Sequence, residues 1–159
     1  DKEAKMADDA IVSTTVTVLP DEIAKNFTGS MSVAPADAND KWYYKLTTIS
    51  TTSGDLIAGN FTDYTAVAAA SAPSAVATGD KVKFLFIQNQ STSDGIVLCL
   101  DGGTAAHDLV DGIFIGPSQT FTVRFPNVTV GNLHAVSADS DSAGDASVTA
   151  IVCALIDDV

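Results

Sequence analysis

Positive charge is scarce in this sequence, and scarcest toward its end. Eight Lys and Arg stand against twenty Asp and Glu, for a formal net charge of −12 at pH 7. Arg124 is the only arginine, and after it come Asp139, Asp141, Asp145, Asp157 and Asp158 but no basic residue. A nucleic-acid partner requires clustered Lys and Arg to displace counterions from phosphate, so none is expected here. Long apolar runs are also missing. No stretch approaches the ~20 residues of a helical membrane span, and no membrane association is expected. Asp1 to Met6 is charged and lacks the hydrophobic run of a signal peptide, while Met6-Ala-Asp-Asp reads as a natural translation start. The helix formers Glu, Gln, Arg and Leu are few, which removes a helical bundle from consideration. With two cysteines, the chain has neither a disulfide framework nor a zinc-ligand set.

What the chain does have is Thr, Ser, Val, Ala and Asp. Thr and Val suit a pleated, half-buried surface, and Asp, Ser and Gly suit the turns between strands. At 159 residues and 46% apolar composition, one domain can hold a core without metals or staples. The expectation is an all-β fold, an antiparallel β-sandwich or jelly roll of about eight short strands. Residues 11–19 alternate as a first strand, with Val12, Thr14, Val16 and Val18 on one face. Pro20 followed by Asp21 and Glu22 predicts at most one short helix near residues 20–26. Further strands are expected over 28–33, 41–49, 81–89, 95–101, 112–115, 120–125, 133–137 and 146–156. Residues 61–67 read as one more candidate strand, and residues 66–79, rich in Ala, Ser and Pro, as a long crossover. Two apolar runs separated by a polar connection ending in Asp94-Gly95 predict a hairpin over 81–101. The last strand is apolar on both faces, which predicts a central position. In Thr120 to Phe125, Phe121, Val123 and Phe125 point inward.

Groups that could carry chemistry each lack a necessary companion. His107 and His134 have no Cys or His at zinc spacing, and no Gly-x-Ser-x-Gly turn exists to raise a serine. Every Glu lies at or before Glu22, and the Asp residues cluster in expected turns. The sharpest metal candidate is Asp139, Asp141 and Asp145 around Gly144, which has the alternating acids of a calcium loop. Its fifth position is Ala143 and its twelfth is Ala150, so it is no EF-hand and reads as a solvated acidic turn. Cys99 and Cys153 fall in apolar strands and are expected as buried free thiols, since Trp42 precedes both and the immunoglobulin order is absent. Asn26, Asn60, Asn89 and Asn127 occur in Asn-x-Ser/Thr triplets, read here as coincidence in a Ser- and Thr-rich chain. Trp42, Tyr43, Tyr44 and Tyr64 read as core and cross-strand aromatics rather than a sugar platform. No catalytic residue and no cofactor is assigned.

Three stretches carry a resemblance: Lys83-Phe-Leu-Phe-Ile-Gln-Asn89, Gly95-Ile-Val-Leu-Cys-Leu-Asp-Gly-Gly103, and Ile113-Phe-Ile-Gly-Pro-Ser-Gln119. Together with the opening from Met6 to Glu22 and the closing Ile156-Asp-Asp-Val159, they resemble small virion proteins of large marine, cyanophage-like tailed phages. The resemblance implies a non-enzymatic head decoration or cement subunit. Such proteins are commonly compact β-folds, often trimers, that sit on the capsid surface and reinforce contacts between capsid subunits. It further implies assembly in the host cytoplasm and, as partner, the major capsid protein or another virion protein. In that setting residues 1–27 read as an N-terminal arm and residues 28–159 as the sandwich. Ile11, Val12, Val16, Val18 and Leu19 are the partner-binding candidates, pairing with a neighbour in trans. The alternatives are a tail, fibre or host-attachment carbohydrate-binding module, with an exposed aromatic cluster at Trp42 to Tyr44, and a hydrolase built around His107 or His134.

Overall fold

The most apolar strand lies at the centre of the larger sheet, as its two apolar faces require. In the computed structural model, which describes residues 9–18, 25–61 and 74–159, that strand is β10. The strands are β1 (Ala10–Val18), β2 (Lys25–Val33), β3 (Asp40–Ile49), β4 (Gly54–Asp55), β5 (Lys81–Asn89), β6 (Gly95–Cys99), β7 (Ile113–Ile115), β8 (Thr120–Thr129), β9 (His134–Ala138) and β10 (Val148–Asp157). A short 3-10 turn, Val130–Asn132, separates β8 from β9. One four-stranded sheet runs β3-β10-β5-β8 and the other β4-β9-β6-β7, while β1 and β2 form a two-stranded ribbon. Every pairing among these strands is antiparallel.

The order of the sheets is nested. β6 pairs with β7, β5 with β8, β4 with β9 and β3 with β10, so the eight strands behave as one long ribbon rolled onto itself. That is a jelly roll, and it bears out the all-β sandwich expectation. The eight strands form one sandwich, because each sheet joins one strand from before residues 66–79, β3 or β4, to three strands from after them.

Burial follows the period of two. Tyr43, Leu85, Ile87, Val152 and Ala154 point inward from the larger sheet and meet Ile96, Leu98, Ile115 and Ala135 of the smaller one. Phe121, Val123 and Phe125 of β8 pack against this core as expected. Pro126 is tolerated in β8 because that strand lies at the sheet edge and its register with β5 breaks between Val82 and Phe84. The outer face of the smaller sheet is covered: Val97, Cys99, Val136 and Ala138 pack with Ala105 and Leu109 of the β6–β7 connection. Among the described residues, the larger sheet is covered on its outer face at one end only. There Ala10, Val12, Met31 and Val33, at the base of the ribbon, pack with Phe84, Leu155, Trp42 and Phe86.

Two expectations meet a different structure. Residues 81–101 are not a hairpin: β5 and β6 lie in opposite sheets, and residues 90–94 cross between them. The cause is Asn89, which is buried and holds the corner. Its side-chain amide donates to the carbonyls of Asp94 (2.8 Å) and Gly116 (3.1 Å), and its oxygen accepts from the Ser91 N–H (2.9 Å). The boundary drawn after Phe27 falls inside β2, because the strand begins at Lys25 and pairs along its whole length with β1. Of the short helix expected near 20–26, residues 20–24 lie outside the described residues, and Lys25 and Asn26 are strand. The candidate strand over 61–67 and the crossover over 66–79 lie partly outside them. Their flanks, residues 59–61 and 74–76, are joined by the Asn60–Ala75 bridge and by the hydrogen bonds Phe61 N–H to Ser74 O and Val76 N–H to Gly59 O.

Candidate interaction surface

Two amphipathic surfaces run past each other in this molecule. The first is the β1–β2 ribbon. Its register places Ala10 beside Val33, Val12 beside Met31, Thr14 beside Gly29, Val16 beside Phe27 and Val18 beside Lys25, all on one face. The proximal part of that face is packed on the larger sheet. The distal part is open: Val16 is 49% and Phe27 53% exposed, and Val18 is exposed too. Apart from Ile11, the opposite face carries only Ser, Thr and Asn over residues 11–17 and 26–32. Of the five partner-binding candidates read from the sequence, Val12 is half-buried in the fold, Ile11, Val16 and Val18 are exposed, and Leu19 lies outside the described residues. One edge of the first strand pairs in cis, with β2 as the partner. What remains for a partner is the outward edge of each strand and the distal apolar face.

The second surface is the outer face of the larger sheet. Trp42, Leu155 and Phe84 lie in one register row beneath the ribbon base, and the Trp42 and Phe84 rings meet edge-on at 6.1 Å. The next rows, Tyr44 with Cys153 and Phe86, then Leu46 with Ile151 and Gln88, continue the same face outward from the ribbon contact, of which Phe86 is the last member. Tyr44 is 54% and Leu46 59% exposed. The two rows contain no charged residue. No protein-family model and no curated protein matches this chain.

The remaining candidates are placed as follows. Trp42, Tyr43 and Tyr44 do not form one exposed cluster: alternation sends Tyr43 into the core, and the ribbon base packs on Trp42 while Tyr44, on the same outer face, stays exposed. The Tyr43 hydroxyl donates to the Ala58 carbonyl at 3.1 Å, and burial raises its pKa above the ordinary value. Asp139 is half-buried, while Asp141 and Asp145 are exposed. Gly144 in that turn is set by packing: an added Cβ would overlap Ser137 Oγ and lie 2.7 Å from the Ser137 carbonyl oxygen. Among the described residues, the carboxylates that converge within 4.8 Å are instead Asp37, Asp40 and Asp157. Sequence spacing could not reveal this trio, since it joins the start of β3 to the end of β10, where Asp40 and Asp157 face each other in register. Lys83 sits within it, 2.6 Å from Asp40 and 3.3 Å from Asp157. Burial opposes the Lys83 charge, but the hydrogen bond and attraction of Asp40, aided by Asp157, outweigh it and raise its pKa.

Cys99 is buried and Cys153 half-buried, both free and on different sheets. Burial raises both thiol pKa values, and at Cys99 the thiol donates to Asp101 at 2.9 Å, which further favours the protonated form. His134 is clamped between the Gly103 carbonyl and Asp55. His107 lines a shallow cleft of about 270 Å³ with Ser53 and Ser137. Both serines are already engaged: Ser53 Oγ accepts the Ala105 N–H, and Ser137 donates to the Ala146 carbonyl. No nucleophile–base pair forms in the cleft among the described residues. Asn89, buried at the corner, is unavailable to a glycan.

Proposed function

We propose that this chain is a virion structural protein, a decoration or cement subunit that binds the outside of a phage head and reinforces contacts between capsid subunits. The observation that carries the reading is a filled jelly roll bearing an amphipathic β-ribbon whose distal apolar residues Val16, Val18 and Phe27 are exposed. Jelly rolls serve in viral capsid and lectin domains and in cupins, so the architecture admits the role without specifying it. The differences within that group help. A cupin-like or ligand-holding roll keeps space inside, whereas Leu85, Ile87, Ile96, Leu98 and Leu133 fill this interior to zero exposure. A lectin-like reading needs aromatic side chains side by side on one surface, and here the three neighbouring aromatics of β3 are divided between core, ribbon contact and solvent. What the fold presents outward is a ribbon and a flat sheet face, features suited to contact with other protein surfaces. The resemblance to small virion proteins of marine tailed phages supports the same reading.

The test is an electron cryomicroscopy map of the native particle. Density for this jelly roll on the outer shell supports the proposal. Density confined to tail or fibre favours the attachment reading, to be followed by glycan-binding measurements on Tyr44→Ala. Absence from the particle overturns both.

A further inference from the structure

We infer that the distal half of the β1–β2 ribbon seats on the uncovered outer face of the larger sheet of a second copy of this chain, so that the subunits associate by exchanging arms. This exchange rests on the ribbon being an interaction element and not on where in a particle the chain resides.

Both surfaces are continuous, and each is only half used. A single ribbon face, largely apolar from Ala10 to Val18, is half-buried over its first half and exposed over its second. A single sheet face, apolar from Phe84 and Leu155 to Leu46 and Ile151, is covered at one end and, among the described residues, open beyond, where Tyr44 and Leu46 are exposed and Cys153 and Ile151 half-buried. The ribbon and the sheet overlap only at their ends, where they already show that the two surfaces fit: Val12 and Met31 pack with Trp42, Phe84 and Leu155. The ribbon does not complete the cover in cis, since its distal Val16, Val18 and Phe27 stay exposed, as do Tyr44 and Leu46 of the sheet face. At ~3.3 Å per residue, the five residues from Thr14 to Val18 carry it about 17 Å further. A two-stranded ribbon with neither face packed is at best marginally stable, so its exposed half gains order from a seat. Each chain therefore displays one unfilled seat and one unseated arm of matching chemistry.

Charge selects the same contact. Two copies at −12 each repel unless they meet through uncharged surfaces. The described ribbon carries a single charge, Lys25, and the two open rows of the sheet face carry none. Desolvating both therefore removes apolar area from water with little electrostatic opposition.

Three purified proteins decide the matter: the full chain, an arm variant carrying Val16→Asp and Phe27→Asp, and a face variant carrying Leu46→Asp. All three substituted side chains are solvent-exposed, so unchanged circular dichroism and melting curves are expected for each variant. By sedimentation velocity and light scattering, the full chain should self-associate. Each variant alone should do so about tenfold more weakly or worse. An equimolar mixture of the two variants should recover complexes containing one chain of each, since the face variant keeps its arm and the arm variant keeps its seat. A monomeric full chain, undiminished association of either variant, or a mixture that fails to associate would each overturn the arm exchange. None of these results depends on particle location, so failure here is separable from failure of the virion reading.

Discussion

At the scale of single residues, the fold depends on a few side chains whose partners lie far away in sequence. Asn89 turns the chain from one sheet to the other by satisfying two buried carbonyls and one N–H. Asn89→Leu should cost about 3 kcal/mol, the penalty for leaving two carbonyls buried without donors, measurable by urea denaturation. Lys83 neutralises Asp40, which is only 2% exposed. Lys83→Met should cost about 2 kcal/mol, less than for a fully buried pair because Lys83 remains 35% exposed. Adding Asp40→Asn to Lys83→Met should recover most of the loss; a double variant as unstable as the sum of the single ones would show that the pair is not coupled. Gly95→Ala would drive a Cβ into the Phe114 ring and to 2.7 Å from the Ala138 carbonyl oxygen, an overpacking expected to cost about 2 kcal/mol. None of these partnerships is legible in the sequence. Asn89 looks there like a polar strand end, and the charge on Asp40 is one of twenty.

At the scale of elements, strand positions were legible because β1 and β8 alternate with a period of two and β5 and β10 are continuous apolar runs. What alternation cannot supply is the partner of each strand. The expected hairpin over 81–101 failed for that reason: two adjacent apolar strands satisfy the same pattern whether they pair with each other or stand in facing sheets. β4, at two residues, is too short to leave a periodic signal. The ribbon was half legible. Its first strand and apolar face were evident, but its pairing with β2 was not. Because the ribbon base shields Phe84, Leu155 and Trp42, removing residues 1–33 should raise binding of a hydrophobic dye and lower solubility, while circular dichroism still reports the sandwich. A truncated protein with unchanged dye binding would mean that this contact does not shield the sheet. The acidic turn at Asp139, Asp141 and Asp145 owes its Gly144 to the approach of Ser137. Millimolar Ca²⁺ should therefore leave the melting temperature unchanged, and a rise of several degrees would refute that reading.

At the scale of the whole molecule, pH tests the titrating groups together. Tyr43, Cys99, Cys153 and Lys83 all have pKa values raised by the fold, from ordinary values of 10.0, 9.0, 9.0 and 10.5. For each, the stabilisation is complete below the unfolded value and is lost as pH rises through the folded one. The melting temperature should thus hold to about pH 9 and then fall steadily toward pH 11, and Tyr43→Phe should soften the fall; a melting temperature that rises over that span would contradict the assignment. By itself the sequence determined the all-β class, the central place of the last strand and the scarcity of basic residues that a nucleic-acid-binding surface needs, because composition and alternation act locally and require no knowledge of partners. Only the tertiary structure decided the nested jelly-roll order, the crossing at Asn89, the Asp37–Asp40–Asp157 trio around Lys83, and the offset that leaves one ribbon half and one sheet half uncovered. Those features depend on which segments meet across long stretches of chain, and hydrophobic period alone is the same for every arrangement that buries the same faces.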